Sequence, residues 1–307
     1  MLDIRPLTKD LEDAARENIN EDPERREKDV AYIKDWLSKQ PHLRARTDDQ
    51  FLITFLRGCK FSLERTKEKL DAYYTYRTAM PEFFKNRDPF LPELQDIFNK
   101  GIQLSLGTDA EGHHVWLMMM HLIDTSKHNV DDILKAVFMV FEIIFLECDH
   151  AAIFGQKVLA DCHNITLAHM AMWTPTVTQK SVSVWQNGYP CRIAGIEYIN
   201  TPGFFGTLIN LVKTVLKEKI RKRLYVHQDV ESLKERGLLM VLPEEFGGEN
   251  QSVEMMRISI KKKVESYRDY FLEDEKYGVD ESRRPGKLKS VEDQLGVAGS
   301  FRQLRVD

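Results

Sequence analysis

The chain has 307 residues, with 44 lysines and arginines against 48 aspartates and glutamates, which gives a net charge of −4. This length suffices for one large or two modest domains with a hydrophobic core, and the charge balance argues against general nucleic-acid binding. The four cysteines form no C-x-x-C pair and are typical of free thiols in a reducing compartment. Because the N-terminus shows no apolar signal segment, we expect a cytoplasmic protein.

The residue pattern in the N-terminal quarter of the chain predicts a series of helices. Residues 1–22 are polar and acidic, and we expect a loosely held lead-in with a short helix. Apolar residues recur at helical spacing over 23–39. A second helix start is indicated at 47–49, and Ser62 is a further expected N-cap. These segments predict a small all-helical domain over 23–90.

After this domain the pattern changes to strands that alternate with helices. A strand–turn–strand signal spans 102–120 around a turn at 107–112. Three further short strands are predicted at 156–161, 193–199 and 224–227, and the lack of alternation in 193–199 suits a sheet that is buried on both faces. The helices between them are predicted at 130–148, 173–186 and 204–223. Strands separated by helices imply β-α-β units and a largely parallel sheet, hence the α/β class.

The C-terminal part of the chain is charged throughout. A helix is predicted over 252–276, and the tail after it is expected to be mobile. The predicted division of the chain is therefore as follows: a lead-in at 1–22, a helical domain at 23–90, an α/β domain at 91–250, a C-terminal helix at 251–276 and a polar tail at 277–307. The most apolar stretch, 133–146, is interrupted by Lys135 and Glu142 and is too short to span a bilayer.

The segment that follows the third predicted strand is amphipathic and ends in cations. Its apolar positions recur at helical spacing; they include Phe204, Phe205, Leu208, Val212, Val215 and Leu216. Its cations gather at the C-terminal end; they include Lys217, Lys219, Arg221 and Arg223. An apolar helix with a basic end suggests a surface that meets an anionic membrane and covers something apolar. The alternative is an ordinary core-facing helix with a solvated charged face.

The apolar helix over 130–148 offers residues for a cavity wall, among them Phe138, Phe141 and Phe145. The alternative for each of them is ordinary core packing. Glu142 on the same helix could anchor a ligand hydroxyl or aldehyde, or it could pair with a neighbouring cation. Asp161 at the end of a strand could contact a ligand, or it could cap a turn.

Sequence signals for catalysis are weak. Cys59 and Arg65 have the C-x5-R spacing of a cysteine phosphatase loop, but the residues between them are not glycine-rich and lie in a helical region. There is no G-x-S-x-G elbow, no G-x-G-x-x-G loop and no Walker loop, and the histidines form no H-E-x-x-H motif. We therefore expect no catalytic residues, no metal site and no enzymatic activity.

Five motifs occur in a fixed order within residues 25–275. They are D-Q-F-L-I-T-F-L-R-G-C-K-F at 49–61, V-L-A-D at 158–161, G-Y-P-C-R-I-A-G-I-E-Y-I-N at 188–200, L-K-E-K-I-R-K-R at 216–223 and L-P-E-E-F-G-G at 242–248. In this order they resemble the CRAL-TRIO family of lipid-transfer proteins. Within the family, the branch of cellular retinaldehyde-binding and alpha-tocopherol transfer proteins, with its many insect members, is most similar.

The resemblance implies a small all-helical domain beside an α/β lipid-binding domain with a mostly parallel sheet and an apolar cavity. In the family the segment that matches Phe204–Leu216, here called the gate segment, is a movable gate over that cavity. Further ligand contacts are implied by positions that match the pocket of that branch: Trp173, Val184, Trp185, Tyr189, Cys191 and Ile196. Ala160, within the V-L-A-D motif, is also expected to contact the ligand. The implied ligand is a single hydrophobic molecule such as a retinoid or a tocopherol-like isoprenoid, with no other cofactor.

The resemblance also implies contact with phosphoinositide headgroups in the membrane. The expected contacts are here called the basic cluster, Arg192, Lys217, Lys219, Arg221 and Arg223. Lys219 and Arg223 match family positions, whereas Cys59 and Ala194 stand where relatives carry cations. We expect a monomeric carrier that is peripheral on membranes and transfers its ligand there. The alternative is a phosphoinositide-dependent membrane adaptor that transfers no ligand.

Overall fold

The computed structural model describes residues 2–227 and 229–285. Its helices are α1 Lys9–Ile19, α2 Arg26–Ser38, α3 Asp49–Gly58, α4 Leu63–Ala79, α5 Pro81–Phe84, α6 Pro92–Lys100, α7 Val130–Glu147, α8 Asp149–Ile153, α9 Leu167–Met172, α10 Pro175–Ser183, α11 Gly206–Val215, α12 Glu218–Arg221, α13 Val253–Ser266 and α14 Arg268–Asp274. Its strands are β1 Leu43–Arg44, β2 Gln103–Thr108, β3 His114–Met119, β4 Gln156–Asp161, β5 Ile193–Ile199, β6 Leu224–Val226 and β7 Gly278–Val279.

The central sheet has five strands in the order β2-β3-β4-β5-β6. Strand β2 is antiparallel to β3, and the remaining neighbours pair in parallel. Trp116, Val158 and Ile196 lie directly opposite one another across β3, β4 and β5. Because opposed residues share a face, these side chains all point to the same side of the sheet. The predicted α/β class with a mostly parallel sheet is confirmed.

The N-terminal region is helical, as predicted, but its first residues are packed rather than loose. Asp48 caps α3 by accepting a hydrogen bond from the amide of Phe51 (2.8 Å). In α1, Ala15 and Ile19 are fully buried. The adjoining Glu21 accepts hydrogen bonds from the buried guanidinium of Arg57 (2.9 and 3.0 Å). The expectation of a loosely held lead-in is therefore wrong, because its apolar and charged residues have long-range partners that local sequence does not reveal.

The predicted helix over 204–223 is interrupted. A 3-10 turn at Gly203–Phe205 leads into α11, and the chain becomes extended at Leu216 before α12. Leu216 is buried in a cluster with Ile193 and Ile196. No proline or glycine marks this break, so tertiary packing overrides a helical pattern that local sequence favours.

The predicted C-terminal helix also divides into two, α13 and α14, at Tyr267. The beginning of the tail is ordered, because β7 pairs antiparallel with β1 near the N-terminal helices. Arg284 contacts the carboxylate of Asp71 at 2.7 Å. The expectation of a mobile tail is wrong for this part, and residues 286–307 lie outside the described residues.

Within residues 2–227 and 229–285, no helix is both long enough and apolar enough to cross a membrane. The longest apolar helix, α7, contains the buried residues Lys135 and Glu142. It packs against α5 and α6 as part of the protein core.

Candidate functional site

A cavity of about 220 Å³ lies on one face of the central sheet. The side chains that form its floor are Gln103, Trp116, Met118, Val158, Ile196 and Tyr198. They come from β2, β3, β4 and β5 and share a face by strand register. The regular alternation of side chains along four neighbouring strands thus builds a continuous floor.

The walls and roof of the cavity come from α7, α10, the π-helical turn at Val184–Gly188 and the gate segment. From α7 the lining residues are spaced three or four apart and form one stripe: Leu134, Val137, Phe138 and Phe141. The opposite side is lined by Trp173, Thr178, Ser181, Val182 and Trp185. Val212 and Leu216 of the gate segment also line the cavity.

The cavity is apolar and uncharged. None of its described lining residues carries an ionisable acid or base that is charged at neutral pH. The polar groups that do occur in the wall are largely used within the protein. Trp116 Nε1 donates to Gln156 Oε1 (2.7 Å), and Ser181 Oγ donates to the carbonyl of Thr178 (3.1 Å). Such a lining can take an apolar guest from water and offers nothing to neutralise a charged one.

The structure brings some of the predicted ligand contacts to this cavity and not others. The following line it: Phe138, Phe141, Trp173, Trp185 and Ile196. The following do not: Glu142, Phe145, Ala160, Asp161, Val184, Tyr189 and Cys191. Phe145 and Tyr189 lie one layer behind, with ring centroids 6.2 Å apart. Tyr189 stacks on the rear of Phe138, so it supports the cavity wall instead of forming it.

Glu142 is placed away from the cavity, which corrects its predicted role as a ligand anchor. It follows Phe141 on α7, and the helix turns by about 100° per residue, so the two side chains face different sides. Its carboxylate accepts hydrogen bonds from Tyr73 (2.8 Å) and Tyr270 (2.9 Å). Burial favours the protonated acid, but Arg77 and Arg87 outweigh it and lower the pKa of Glu142 to about 2. Glu142 therefore pairs with neighbouring cations, which was the alternative to its predicted role as a ligand anchor.

Asp161 is likewise occupied within the protein. Its Oδ1 accepts from the backbone N–H of His163 (3.0 Å) and from Asn200 Nδ2 (2.8 Å). The carboxylate therefore caps the turn after β4 and fastens it to the residue that follows β5. Its predicted ligand contact is corrected in favour of the capping alternative.

The gate segment is only partly turned toward the cavity. Val212 lines the cavity, whereas Phe205 is buried against the ring of Tyr198, with centroids 5.2 Å apart. Leu208 packs on the small cluster formed by Cys162, Ile165, Phe205 and Ile209. Phe204 is 37% exposed. Leu167, on a neighbouring helix, is 69% exposed.

The C-terminal end of α11 is held by the side chain of Gln186. Gln186 Nε2 donates to the carbonyl of Val215 (3.0 Å), and Gln186 Oε1 accepts from the N–H of Lys217 (3.2 Å). Lys69 of the helical domain in turn donates to the backbone carbonyls of Gln186 (2.9 Å) and Asn187 (2.8 Å). The π-helical turn thus connects the helical domain to the gate segment. Sequence patterns gave no sign of this connection.

The basic cluster forms a cationic surface beside the gate segment. Lys217, Lys219 and Arg221 are exposed, and Arg223 donates to the carbonyl of Ile193. Burial and the charge of Arg223 lower the pKa of Arg192. Within the described chain, no residue of the basic cluster forms an ion pair with a carboxylate.

The helical domain extends this surface with two exposed cations that sequence reasoning missed, Lys60 and Arg65. The pKa of Lys60 is lowered by burial and by the charges of Arg192, Lys219 and Arg65, which places these cations near one another. Because cations gathered in this way repel one another, an anion that binds among them is stabilised. Lys60 and Arg65 thus lie close in sequence to Cys59, the position at which the family resemblance leads one to expect a cation.

The residues that hinted at catalysis have structural roles. Cys59 ends α3, its Sγ lies 3.6 Å from the carbonyl of Arg65, and burial raises the pKa of its thiol. A phosphatase nucleophile needs the opposite shift. The one group of possible metal ligands within the described ranges is Asp109, Glu111 and His113. Lys157 Nζ lies 2.7 Å from both carboxylates and supplies their counter-charge.

Comparison with known proteins yields two family matches. A profile for the CRAL/TRIO domain matches residues 98–248, and one described as a Pinta-like UBA domain matches residues 22–94. The alpha-tocopherol transfer protein-like protein of Mus musculus is 33% identical over 245 residues, which cover 79% of this chain and 71% of that protein. Clavesin-2 of Homo sapiens is 27% identical over 303 residues, which cover 98% of this chain and 90% of that protein.

Among solved structures, the crystal structure of Sfh5 matches 88% of this chain and 99% of its own, with a TM-score of 0.51 and 13% identity. At this identity the likeness concerns the fold alone. It agrees with the arrangement described above, a helical region followed by a mostly parallel sheet.

Proposed function

This chain belongs to the CRAL/TRIO family, and from that premise we propose that it is a carrier of one hydrophobic small molecule. The guest is held in the cavity and exchanged at membranes, and retinoids, tocopherol-like lipids and related isoprenoids are the proposed class. The observation that carries the proposal is the apolar, uncharged cavity of about 220 Å³ on the sheet. An apolar cavity of about 150 Å³ admits a benzene-sized molecule; a retinoid or a tocopherol is much larger, so its entry requires the gate segment to move outward.

The energetics of burial support a carrier that needs no catalysis. At about 25 cal/mol per Å², removing several hundred Å² of hydrocarbon from water contributes on the order of 10 kcal/mol before the costs of binding. The aromatic walls, with Phe138, Phe141, Trp173 and Trp185, suit a ring-bearing guest.

Two surface features support exchange at a membrane. Phe204 and Leu167 expose apolar side chains on elements that share one small hydrophobic cluster. The basic cluster lies at the other end of the gate segment and is joined there by Lys60. A lipid surface rich in anionic headgroups, phosphoinositides among them, would contact both features and let the guest leave without crossing water.

Vesicle-to-vesicle transfer tests this function. Donor vesicles of phosphatidylcholine would carry retinol or α-tocopherol, and acceptor vesicles would contain phosphatidylserine and a phosphoinositide. We expect the protein to accelerate transfer of at least one probe in proportion to its concentration. Vesicle binding with no acceleration of either probe would contradict the carrier and support the alternative, a membrane adaptor.

Removing cations from the surface is expected to weaken membrane contact but not ligand retention. Each lysine near an anionic leaflet contributes about 1 kcal/mol. Lys60→Ala combined with Lys219→Ala should therefore weaken vesicle binding about 30-fold at low salt, with transfer slowed accordingly. Lys262→Ala with Lys276→Ala is the matched control, because Lys262 is an exposed lysine of α13. Equal losses in both double variants would contradict a specific basic surface.

Weakening the hold of Gln186 on α11 is expected to speed release of the guest. Gln186→Leu removes two hydrogen bonds, each worth roughly 1 kcal/mol. The rate of retinol loss to excess vesicles, followed by stopped-flow fluorescence, should rise by up to about 30-fold, which corresponds to about 2 kcal/mol. Gln186→Glu keeps an acceptor for the N–H of Lys217 and should give an intermediate rate. An unchanged rate in Gln186→Leu would show that α11 does not limit release.

A further inference from the structure

Tyr198 brings a hydroxyl group to the floor of the cavity. The residue lies on β5 opposite Ala160, on the same face as Ile196. Its ring packs against the ring of Phe205, with centroids 5.2 Å apart. It also contacts both small apolar clusters that include residues of the gate segment. The side chain of Tyr198 thus lies at the end of the cavity floor that is next to the gate segment.

The hydroxyl of Tyr198 is unpaired but accessible. It forms no hydrogen bond with any residue in 2–227 or 229–285, and it keeps accessible surface, unlike the enclosed polar atoms of the interior. Burial raises the pKa of Tyr198, and the nearby Cys162 adds to this, so the group is removed from bulk water and stays neutral. Its accessible surface therefore faces the cavity, where an O–H without an acceptor is destabilising.

The other polar groups of the lining offer a guest no free acceptor of comparable strength. The amide oxygen of Gln103 is enclosed, so a guest cannot reach it. The indole N–H groups of Trp173 and Trp185 form no hydrogen bond with the described residues, and they can only donate. Three further groups already donate within the protein, those of Trp116, Thr178 and Ser181. A guest therefore completes this lining by supplying an acceptor.

Water alone is a poor partner for the hydroxyl of Tyr198. A buried water typically makes about two to four hydrogen bonds to polar groups. The side chains nearest to Tyr198 on the floor and under the gate segment are hydrocarbon or aromatic: Ala160, Ile196 and Phe205. A water bound to Tyr198 would find no second partner among them.

We propose that Tyr198 binds the oxygen of the guest, so that the carrier selects lipids with a neutral acceptor oxygen and holds this oxygen next to the gate segment. This inference rests on the proposed function. The phenol O–H donates to a hydroxyl, ether or carbonyl oxygen of the guest. A hydrocarbon supplies no acceptor. A carboxylate or an amine meets no opposite charge in the uncharged cavity.

The position of Tyr198 also orients the guest. With its oxygen at Tyr198 on β5, the guest extends its hydrocarbon across Val158 and Trp116 toward β2, away from the gate segment. The oxygen is then the first part of the guest to reach a membrane when the gate segment moves. Headgroups and water at the membrane surface replace the hydrogen bond from Tyr198 at that point.

Competitive retention of matched lipids tests this assignment. The protein would be incubated with phosphatidylcholine vesicles that hold equal amounts of retinol, retinyl methyl ether, α-tocopherol and axerophthene, the retinoid hydrocarbon without oxygen. Lipids that remain with the re-isolated protein are quantified by mass spectrometry. Retention of the oxygenated lipids relative to axerophthene should be at least about five-fold higher in the wild type than in Tyr198→Phe, which lacks the hydrogen bond. Because an ether only accepts, a similar response of retinol and its methyl ether shows that Tyr198 donates.

Tyr198→Phe keeps the ring that packs against Phe205, and Tyr198→Leu is a second variant, so that a folding defect in one does not decide the outcome. Tyr225→Phe, at an exposed tyrosine on the neighbouring strand β6, is the matched control and should keep the wild-type ratio. The same ratio in the wild type and in both Tyr198 variants would overturn the role of Tyr198 alone. Failure of the wild type to retain any of the four lipids would contradict the carrier function as well.

Discussion

Replacing Val158 by tryptophan is expected to abolish lipid retention while the protein stays folded. Val158 lies on the central strand β4, at the middle of the cavity floor, between Trp116 and Ile196. An indole there occupies the space that the guest needs. Retention of retinol and α-tocopherol should fall at least about 100-fold, which corresponds to about 2.8 kcal/mol. Overpacking typically costs about 1–3 kcal/mol of stability, and the existing cavity should keep the cost at the low end.

The matched control is Val226→Trp, the same change at a half-exposed position on the edge strand β6. It adds the same side chain to the same sheet but places it in solvent. Native mass spectrometry measures bound lipid for both variants, and thermal unfolding shows whether they remain folded. Full retention of lipid by a folded Val158→Trp variant would mean that the guest binds elsewhere.

Removing the charge of Glu142 is expected to destabilise the fold strongly. Its carboxylate lies among buried groups that join α4, α7 and α14: Arg77, Arg87, Tyr73, Tyr270 and Asp274. Glu142→Gln leaves two buried guanidinium groups with one carboxylate, that of Asp274. Breaking a buried ion pair in this way typically costs about 3–5 kcal/mol. A urea denaturation series would measure the loss.

Glu273→Gln is the matched control, because Glu273 also pairs with an arginine, Arg46 at 2.9 Å, but its side chain is 47% exposed. It should change stability by less than about 1 kcal/mol. Similar losses of stability in the Glu142→Gln and Glu273→Gln variants would contradict the claim that burial makes the ion pairs of Glu142 important.

The carboxylate of Glu142 should also make the stability of the protein depend on pH. The folded state lowers the pKa of Glu142 from 4.5 to about 2. A group with a lowered folded pKa stabilises the protein above its unfolded pKa and loses that contribution as the pH falls through the folded value. The contribution of Glu142 should therefore decline between about pH 4.5 and pH 2. The Glu142→Gln variant should lack this part of the pH dependence of unfolding.

Residue patterns within single helices and strands were enough to predict the α/β architecture. The apolar runs at 156–161 and 193–199 coincide with β4 and β5, and the stripe on α7 pointed to Phe138 and Phe141 as wall residues. Both predictions depend on residue spacing within one element, which the backbone geometry fixes.

Features that depend on distant partners were not predictable. The partners of Glu142 lie more than 50 residues away in sequence, so nothing near it indicates an ion cluster. The end of α11 at Leu216 depends on packing against β5 and on the side chain of Gln186.

The central claim, that this protein holds a lipid in the cavity on its sheet, is tested most directly by native mass spectrometry of the wild-type chain after incubation with vesicles that contain retinol and α-tocopherol. We predict a population of the folded chain that is heavier by the mass of one lipid molecule and returns to the bare mass on denaturation. Detection of the bare chain alone, with vesicle contact verified by sedimentation, would contradict the claim.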